Sequence, residues 1–474
     1  MAAVSQCCAL LLASWTLSPL VSLPSSSGPY HDTLASFWSA QEASLQPACV
    51  FSPTDASHVS TALAILSSHT DCQFAIKSHG HAPAAGFANV ADGVTIDLSS
   101  LNSVQVNVDA SIVRVGAGAS WLEVYQELDT HRVAVAGGRN GGVGVGGLLL
   151  GGGISYFGPR VGWACDAVDS FQVVLAGGQT VTASQRQHPD LFRALKGGGN
   201  NLGVVTSADL RSFPQGDILA GTLAHNISDR EAVFKAIADL ASAKDYDEYA
   251  SIVLSVNFSP SSRTWTLSEV PVYTKPELRP QVYAPLFAVP NTTDSLHITN
   301  LSTYANESPI PQLGFVFYTG TYAATQETLS TVFDVANKTL MGFEQPEGML
   351  LWSVAFEPLP TKFTQRAHNT GGNVLGTQPS DGNAFIVLMS ATFANPDANN
   401  EVEGLSKELM KNINEETRKR GLLHQFQYSN YADPSQDPIG SYGAENVDSI
   451  RRASKKYDPN NVFQKQVPGG FKLV

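Results

Sequence analysis

The sequence predicts an α+β fold of two domains, and three observations lead to this prediction. The chain has 474 residues, well past the roughly 250–300 residues at which a single hydrophobic core stops growing. Residues 47–215 are rich in glycine and short strand patterns, whereas residues 216–425 carry longer amphipathic helices and apolar strands. The pattern of residues 216–425 is typical of an antiparallel sheet covered by helices. Residues 426–474 form a C-terminal segment in which motifs become dense again.

The composition indicates a globular protein and limits its partners. Hydrophobic residues make up 43% of the chain and charged residues 15%, which is enough apolar material for a core. The formal net charge is −13, and so negative a surface repels nucleic-acid backbones and anionic lipid headgroups. We therefore expect neither nucleic-acid nor membrane partners.

Residues 1–23 are predicted to be a signal peptide. An apolar stretch begins near Cys8 and weakens towards Leu23, where a segment rich in proline and serine follows. The stretch is too short for a membrane span and fits the core of a secretory signal, which predicts a secreted protein. The alternative is an N-terminal helix that packs on the first domain.

Five cysteines bear on this prediction. If Cys7 and Cys8 leave with the signal peptide, Cys49, Cys72 and Cys165 remain. Cys49 and Cys72 each precede a strand-like stretch, so a disulfide between them is expected in an oxidising compartment, with Cys165 as the odd thiol. The alternative is that all three are ordinary buried cysteines.

Six N-x-S/T sequons cluster in one third of the chain, which favours a secreted glycoprotein. Glycans need exposed loops, and none of the sequons falls between residues 47 and 215. The predicted glycosylation sites are Asn226, Asn257, Asn291, Asn300, Asn306 and Asn337.

Hydrophobic periodicity predicts the elements of the first domain in order. A helix begins after Thr54 or Asp55, because Val59, Leu63 and Leu66 then share one face. The remaining elements are strands at 73–77, 94–98, 112–115 and 133–136, a helix at 120–128, a hairpin of 168–175 with 180–183, and a short helix that begins at Pro189.

The second domain and the C-terminal segment follow the same rules. The predicted elements are helices at 228–243 and 445–456 and strands at 251–257, 264–271, 314–318, 350–356 and 384–392.

The densest glycine run is GGRNGGVGVGGLLLGGG, residues 137–153. Glycine weakens helices and strands, but it lets backbone N–H groups approach an anion or a flat ring without Cβ clashes. Residues 142–147 match G-x-G-x-x-G, yet a dinucleotide fingerprint opens a helix, and here three more glycines and Pro159 follow. The run therefore predicts a ligand cradle other than a Rossmann turn, and a glycine-rich bend without ligand is the alternative.

A second candidate cradle is KGGGNNLGVVT, residues 196–206. It follows a short helix and precedes a strand, and the absence of G-K-[ST] excludes a P-loop.

Two histidines, His79 and His81, lie in the sequence KSHGHAPAAG, residues 77–86, which we call the histidine loop. Three interpretations stay open at this point: metal ligands, a structural pair, or the attachment point of a cofactor. A metal site would need further His or Glu ligands, and the sequence shows no convincing partners, so we predict no metal.

Several motifs, taken together and in this order, resemble those of a known family. They are PACVFSP at 47–53, KSHGHAP at 77–83, VGVGGLLLGGG at 143–153, RVGWACD at 160–166, ALKGGGNNLGVVT at 194–206, YSNYAD at 428–433 and YDPNNVFQ at 457–464. The chain is similar to the FAD-linked oxidoreductases of the vanillyl-alcohol-oxidase fold, in the berberine-bridge-enzyme-like group, and especially to fungal members that act in secondary metabolism or on carbohydrates. The resemblance implies a PCMH-type FAD-binding domain over residues 47–215, a substrate domain over residues 216–425, and a C-terminal segment that returns to the FAD domain.

The resemblance also implies that FAD is attached covalently through His81, which occupies the last position of the family's R-x-G-G-H motif. His79 stands where glycine is usual. Members with a second link carry a cysteine three residues before the V-G-V-G-G run, and Asn140 takes that position here, so a single bond is expected. Such a bond withdraws electron density and makes the flavin a stronger oxidant. Val143 falls at the gate near flavin C4a, where valine is typical of oxidases.

The other implied cofactor contacts lie in four motifs. The histidine loop and the glycine run would lay backbone N–H groups against the pyrophosphate. The implied contacts are Ser78, His79, Gly80 and Ala82 in the loop, Gly144, Gly146 and Gly147 in the run, Gly203 and Val204 in the second cradle, and Asn430 in Y-S-N-Y.

Two tyrosines are the implied catalytic residues. In relatives the second tyrosine of Y-x-N-Y takes the proton of the substrate hydroxyl, and here it is Tyr431, with Tyr428 beside it. A free tyrosine has a pKa of about 10, so we expect the surroundings to lower the pKa of Tyr431 for work near neutral pH. The alternative is that both tyrosines only pack between the domains.

The implied function is that of an oxidase that takes a hydride from a small organic substrate and reduces O2 to H2O2. A secondary-metabolite intermediate is favoured as substrate, because the middle domain is not conspicuously aromatic. A carbohydrate oxidase and an inactive secreted glycoprotein of the same fold are the alternatives. The expected partners are the substrate and O2, and a monomer is favoured.

Overall fold

The computed structural model describes residues 5–26, 28–306, 312–366 and 370–473. It confirms an α+β fold, with two hydrophobic cores. One core combines residues of the first domain with residues of the C-terminal segment, such as Tyr428 and Phe463, and it also includes residues from 216–425, such as Phe363 and Leu375. The other core lies among the strands and helices of the second domain.

The first part of the chain forms short strands and helices. The helices are α1 (Gln6–Leu12), α2 (Pro29–Ala35), α3 (Ala40–Ser44), α4 (Ala56–Ser67), α5 (Trp121–His131), α6 (Val145–Leu150), α7 (Gly158–Val161) and α8 (Pro189–Leu195). The strands are β1 (Val21–Ser22), β2 (Cys49–Phe51), β3 (Phe74–Lys77), β4 (Val94–Asp97), β5 (Val104–Val106), β6 (Ile112–Gly116), β7 (Val133–Ala134), β8 (Val168–Val174), β9 (Thr180–Ser184), β10 (Val204–Arg211) and β11 (Phe213–Pro214).

These strands form two main sheets that position the candidate loops. Strands β2, β4 and β3 run parallel in a four-stranded sheet, and β1 pairs antiparallel at its edge. A five-stranded antiparallel sheet has the order β5-β6-β10-β8-β9. The histidine loop follows β3 of the first sheet, and the second cradle leads into β10 of the second.

Helix α5 shows how local sequence fixes a boundary near the site. The Ser120 hydroxyl accepts the N–H of Glu123 (3.2 Å), and the Glu123 carboxylate accepts the N–H of Ser120 (2.7 Å), which is a capping box. The helix buries Trp121, and a Cβ on Gly137 would lie 2.2 Å from the Trp121 ring while one on Gly138 would lie 2.6 Å from it. The glycine run therefore begins where the backbone packs directly against the Trp121 indole and leaves no room for a Cβ atom.

The second domain is built on one large antiparallel sheet. Its helices are α9 (Arg230–Ala241), α10 (Ala284–Phe287), α11 (Leu301–Ala305), α12 (Gln326–Gly342), α13 (Thr361–Gln365) and α14 (Asn399–Lys419). Its strands are β12 (Ile218–Ala220), β13 (Leu223–His225), β14 (Ala250–Ser259), β15 (Thr264–Tyr273), β16 (Asn291–Asp294), β17 (His297–Thr299), β18 (Gly314–Ala323), β19 (Met349–Leu359), β20 (Ala384–Phe393) and β21 (Leu423–His424). The main order is β16-β13-β15-β14-β19-β20-β18-β21, and burial alternates along β14 as a sheet with one covered face requires.

The C-terminal segment packs on the first domain. It contains α15 (Ala444–Tyr457) and α16 (Val462–Lys465), and the Asp458 carboxylate accepts the N–H groups of Val462 (2.9 Å) and Phe463 (2.8 Å). The Gln466 amide donates to the carbonyl of Cys72 (2.9 Å), so the segment is fixed to the loop that precedes β3.

The N-terminal segment differs from the signal-peptide prediction. Cys7 is bonded to Cys72 and Cys8 to Cys49, so the predicted Cys49–Cys72 disulfide is wrong, because α1 brings a separate partner to each of these cysteines. Cys8 is fully buried in the first core. Cleavage after residue 23 would remove both disulfides, so the structure supports the alternative of a helix that packs on the domain.

The sequons lie in different surroundings. Four of the predicted glycosylation sites are exposed, namely Asn226, Asn291, Asn300 and Asn306. Asn257 and Asn337 are half-buried, and Asn257 Nδ2 donates to Ser268 Oγ (3.3 Å) while Asn337 Oδ1 accepts from the Trp265 indole (2.8 Å). Within the described ranges, no helix has both the length and the apolar character that a bilayer span requires.

We expect the loss of either disulfide to lower the free energy of unfolding by about 2–4 kcal/mol. Double substitution to alanine of Cys8 with Cys49, or of Cys7 with Cys72, tests each bond in denaturant unfolding. Cys165→Ala is the matched control, because this thiol is buried but unbonded. Recovery of a Cys49–Cys72 peptide pair in non-reducing mass mapping would contradict the pairing.

Candidate active site

The histidine loop is fixed to the glycine run at its first residues. Strand β3 ends at Lys77, whose buried ammonium lies 3.2 Å from Asp97 Oδ1. The Ser78 hydroxyl donates to the carbonyl of Ala117 (2.5 Å) and accepts the N–H of Gly146 (3.3 Å). One serine therefore joins the loop, the end of β6 and the glycine run.

His81 and His79 differ in their surroundings. His81 is half-buried, and burial lowers the pKa of its imidazole to about 4, so the ring is neutral near pH 7. A Cβ on Gly142 would lie 3.9 Å from His81 Nε2, so this ring presents its edge to the glycine run. Burial also lowers the pKa of His79, whose Nδ1 is buried without a hydrogen-bond partner among the described residues.

The glycine run presents backbone rather than side chains beside His81. Gly142 and Gly147 are exposed, and a Cβ on Gly147 would meet nothing within 4 Å. A Cβ on Gly144 would lie 2.4 Å from Ser78 Oγ, so only glycine allows the loop and the run to approach this closely. Exposed bare backbone next to a neutral imidazole fits a flat ring that carries a diphosphate.

The run also contains an element that the sequence did not predict. Helix α6 begins after Gly144 and ends at Leu150, which is less than two turns. The glycines that follow it explain why the helix stays short.

The second cradle contacts the far end of α6. The N–H groups of Gly197 and Gly199 both donate to the carbonyl of Leu150 (3.1 Å each). Gly203 has a φ of 159°, and a Cβ there would lie 2.6 Å from a valine of β8. Val204 is buried and pairs with β8. The cradle therefore supports the glycine run, and Gly203 and Val204 lie at the start of β10.

Tyr431 lies in a buried cluster of three polar side chains. Its hydroxyl donates to Glu357 Oε1 (2.9 Å), and Arg139 Nη2 donates to the Tyr431 oxygen (2.5 Å) and to Glu357 Oε1 (2.8 Å). Arg139 belongs to the glycine run, Glu357 to β19 and Tyr431 to the C-terminal segment. The glycine run, the large sheet and the C-terminal segment therefore meet at the Tyr431 phenol oxygen.

The pKa of the Tyr431 phenol is shifted in the direction opposite to the expected lowering. Burial raises the pKa of Tyr431 well above its usual value, the Arg139 cation opposes this shift, and the Glu357 carboxylate adds to it. The expected lowering of this pKa is therefore wrong for this arrangement, because burial outweighs the guanidinium. Glu357 Oε2 is buried with no hydrogen-bond partner among the described residues.

Tyr428 and Asn430 lie beside this cluster and form hydrogen bonds to the backbone of the glycine run and of the residue that follows it. The Tyr428 hydroxyl accepts the N–H of Ile154 (3.0 Å) and the Nδ2 of Asn430 (3.0 Å). Asn430 Nδ2 also donates to the carbonyl of Leu148 in α6 (3.2 Å). The Tyr428 ring packs edge-on against Tyr431 with centroids 4.9 Å apart. Tyr428 and Asn430 therefore connect Tyr431 to the glycine run.

Two aromatic rings lie between Tyr431 and His81. The Phe317 centroid on β18 is 6.4 Å from that of Tyr431 and 5.7 Å from that of Trp38. Trp38 stacks on His81 with centroids 4.4 Å apart and an interplanar angle of 14°. A continuous series of ring contacts therefore joins the Tyr431 phenol to the His81 imidazole.

Asn140 and Val143 occupy the turn of the glycine run beside His81. Asn140 Oδ1 accepts the N–H of Gly142 (2.8 Å), and a Cβ on Gly142 would lie 3.4 Å from it. Val143 is half-buried, and its carbonyl accepts the N–H of Trp121 (3.0 Å). An amide therefore stands close to His81, where doubly linked relatives are expected to carry a thiol.

Three residues of the site, Arg139, Glu357 and Trp38, were not predicted from the sequence. Arg139 is a charged residue inside a run of glycines, and Glu357 is an acid inside an apolar strand. Buried charges need partners, so each could have been marked as paired. Sequence spacing could not have paired them with each other, because 218 residues separate them.

The fold and the site define a flavin-binding oxidoreductase. Residues 47–184 match the FAD binding domain family. The chain is 35% identical over 437 residues to the FAD-dependent monooxygenase drtC of Aspergillus calidoustus, over 91% of this chain and 83% of that protein. The chain therefore belongs to the family of FAD-dependent oxidoreductases that includes this fungal monooxygenase.

Two solved structures share the fold. Glucooligosaccharide oxidase from Acremonium strictum, which carries a 6-S-cysteinyl, 8α-N1-histidyl FAD, has a TM-score of 0.77 and 18% identity, and the match covers 99% of this chain and 100% of that one. Berberine bridge enzyme in complex with (S)-reticuline has a TM-score of 0.76 and 15% identity, with 99% and 100% covered. At these identities the likeness concerns the fold alone.

We expect Gly147→Ala to lower flavin content without weakening the fold. The new methyl group would meet no protein atom within 4 Å, and alanine favours a helix over glycine by about 0.8–1 kcal/mol. Flavin lying on this backbone would meet that methyl group. Gly177→Ala, equally open in the β8–β9 turn, is the control. Flavin absorbance per chain and denaturant unfolding are the measurements, and wild-type flavin content in Gly147→Ala would exclude contact at this face.

Proposed function

We propose that this chain is an oxidase that works in an oxidising compartment and holds FAD by one covalent bond through His81. The neutral imidazole beside bare backbone, the amide of Asn140 in place of a second thiol, and two disulfides typical of oxidising compartments support this proposal. The bound cofactor supplies hydride acceptance from a small organic substrate and electron transfer to O2, which gives H2O2.

The observation that carries the proposal is the buried Arg139–Tyr431–Glu357 cluster. It provides a proton acceptor beside Phe317, whose ring contacts Trp38, the ring that stacks on His81. Oxidation of an alcohol by hydride removal requires such an acceptor for the hydroxyl proton.

The proton path runs from the substrate through Tyr431 to Glu357. The substrate hydroxyl gives its proton to Tyr431 Oη while the tyrosine passes its own proton to Glu357 Oε1, 2.9 Å away. Because burial raises the pKa of Tyr431, a phenolate waiting for substrate is unfavourable, and a relay avoids it. Arg139 donates to both oxygens and holds them in line.

The walls of the site favour an apolar ring system as substrate. Phe317 is half-buried and packs edge-on against Trp38 and Tyr431, so it offers apolar aromatic surface to a flat carbon skeleton. We therefore propose a small natural-product intermediate with a hydroxyl group. An oligosaccharide, with many hydroxyl groups to satisfy, is the competing substrate in any assay panel.

His81→Ala should abolish covalent flavin, whereas His79→Ala should retain it, because only His81 presents its ring edge to Gly142. Acid precipitation of the purified protein, followed by a flavin spectrum of the pellet, measures attachment. Flavin that stays in the supernatant of the wild type would remove the covalent bond from the proposal. Loss of attachment only in His79→Ala would move the bond to the other histidine.

Tyr431→Phe should slow reduction of the flavin by substrate roughly 10²–10⁴-fold, because it removes the relay oxygen but keeps the ring. The measurement is stopped-flow reduction without O2, with alcohols of aromatic skeleton and oligosaccharides as candidate substrates. Tyr428→Phe is the matched control and should have the smaller effect. Reoxidation by O2 after dithionite reduction should be unchanged in both variants, and a wild-type enzyme that O2 cannot reoxidise would be a dehydrogenase.

A further inference from the structure

A short segment before the first domain packs against the histidine loop. We call residues 37–42 the clamp segment. The N–H of Trp38 donates to the carbonyl of Gly80 (3.0 Å), and the Trp38 ring stacks on His81. Gly80 has a φ of 74°, and a Cβ there would lie 2.9 Å from the Phe37 ring. The loop therefore turns tightly against two aromatic residues of the clamp segment.

The clamp segment also holds the far end of the loop. The buried Glu42 carboxylate accepts the N–H groups of Gly86 (3.1 Å) and Ala88 (2.6 Å). The Asn89 amide donates to the carbonyl of Glu42 (2.8 Å). Contacts before and after His81 therefore come from the same six residues.

The opposite side of the clamp segment is bound to the large sheet. The Gln41 amide donates to the carbonyl of Phe315 (2.7 Å) and accepts the N–H of the same residue (3.2 Å). The Phe315 ring stacks on Trp38 with centroids 3.8 Å apart and an interplanar angle of 14°. Trp38 is therefore held between Phe315 and His81, with all three rings nearly parallel.

This stack controls how the imidazole is presented. The ring nitrogens of histidine lie in the ring plane, so a partner stacked on the face leaves both nitrogens free. The edge of His81 near Nε2 points towards Gly142, which is exposed backbone. The stack therefore fixes the plane of the ring while its nucleophilic edge stays open to the cradle.

We propose that Trp38 is a positioning residue for covalent attachment of FAD, because it holds the His81 imidazole in the orientation from which a ring nitrogen reaches the flavin 8α-carbon. This inference rests on the proposed attachment through His81. In the step, a nitrogen–carbon bond forms, the 8α-carbon and the imidazole each lose a proton, and the flavin ring keeps two electrons. O2 then removes these two electrons and is reduced to H2O2.

The burial of His81 supports this role. A ring nitrogen must offer a lone pair to form the bond, and burial against Trp38 and its neighbours keeps the imidazole neutral. Aromatic stacking contributes about 0.5–1.5 kcal/mol beyond area burial.

The experiment compares Trp38→Leu, Trp38→Phe and Trp265→Leu with the wild type. Trp265 is a matched control, because it is also half-buried and packs against Phe258 and Phe333 in the second domain. The flavin that stays with acid-precipitated protein is measured against total bound flavin, before and during incubation with added FAD. We expect attachment to be roughly three- to tenfold slower in Trp38→Leu, largely restored in Trp38→Phe, and unchanged in Trp265→Leu.

A His81→Ala variant distinguishes an effect of Trp38 on the orientation of His81 from a general effect on folding and FAD binding. In His81→Ala, where no bond forms, adding Trp38→Leu should leave the Kd for non-covalent FAD unchanged. Wild-type attachment in Trp38→Leu, or an equal weakening of non-covalent binding in the His81→Ala background, would overturn the inference. If the wild type holds no covalent flavin, or if His81→Ala keeps it, the proposed attachment fails first and the role of Trp38 fails with it.

Discussion

The ion pair between Arg139 and Glu357 is the contact on which the geometry of the site depends. The two side chains are only 16% and 6% exposed, and burying two charges costs several kcal/mol unless each finds good partners. The Tyr431 hydroxyl provides one of those partners for both. Because the arginine lies in the glycine run and the glutamate in the large sheet, a shift of one domain against the other would leave a charge buried and unpaired. The pair therefore fixes the glycine run against strand β19 of the large sheet.

The same cluster changes how a tyrosine can act as a base. A tyrosine that is ionised in advance needs cations or donors that outweigh burial. Here the Glu357 carboxylate accepts a hydrogen bond from the phenol, and burial raises the pKa of Tyr431, so the neutral phenol is favoured. In the proposed relay, the Glu357 carboxylate would receive the proton and the Tyr431 oxygen would be the group that faces the substrate.

Local patterns predicted much of the fold, and long-range contacts explain what they missed. Strand β14 spans Ala250–Ser259 where alternation predicted 251–257, because the pattern of one covered face is visible in a single stretch. The cysteine pairing failed because it depends on which helix packs beside β2 and β3. The resemblance located His81 and Tyr431, but the contacts that give each its environment come from elements far away in sequence. The direction of the pKa shift of Tyr431 is likewise decided by tertiary burial.

The Cys8–Cys49 bond has a consequence for how the cofactor is loaded. It closes a covalent ring of chain, and the six residues that grip the histidine loop lie inside that ring. In an oxidising compartment the disulfide restricts the conformational freedom of those residues. In a reducing cytosol the bond would be absent, and only noncovalent packing would hold the same segment. If FAD is attached through His81 as proposed, the state of the Cys8–Cys49 bond would therefore affect how firmly residues 37–42 hold the histidine loop for that attachment.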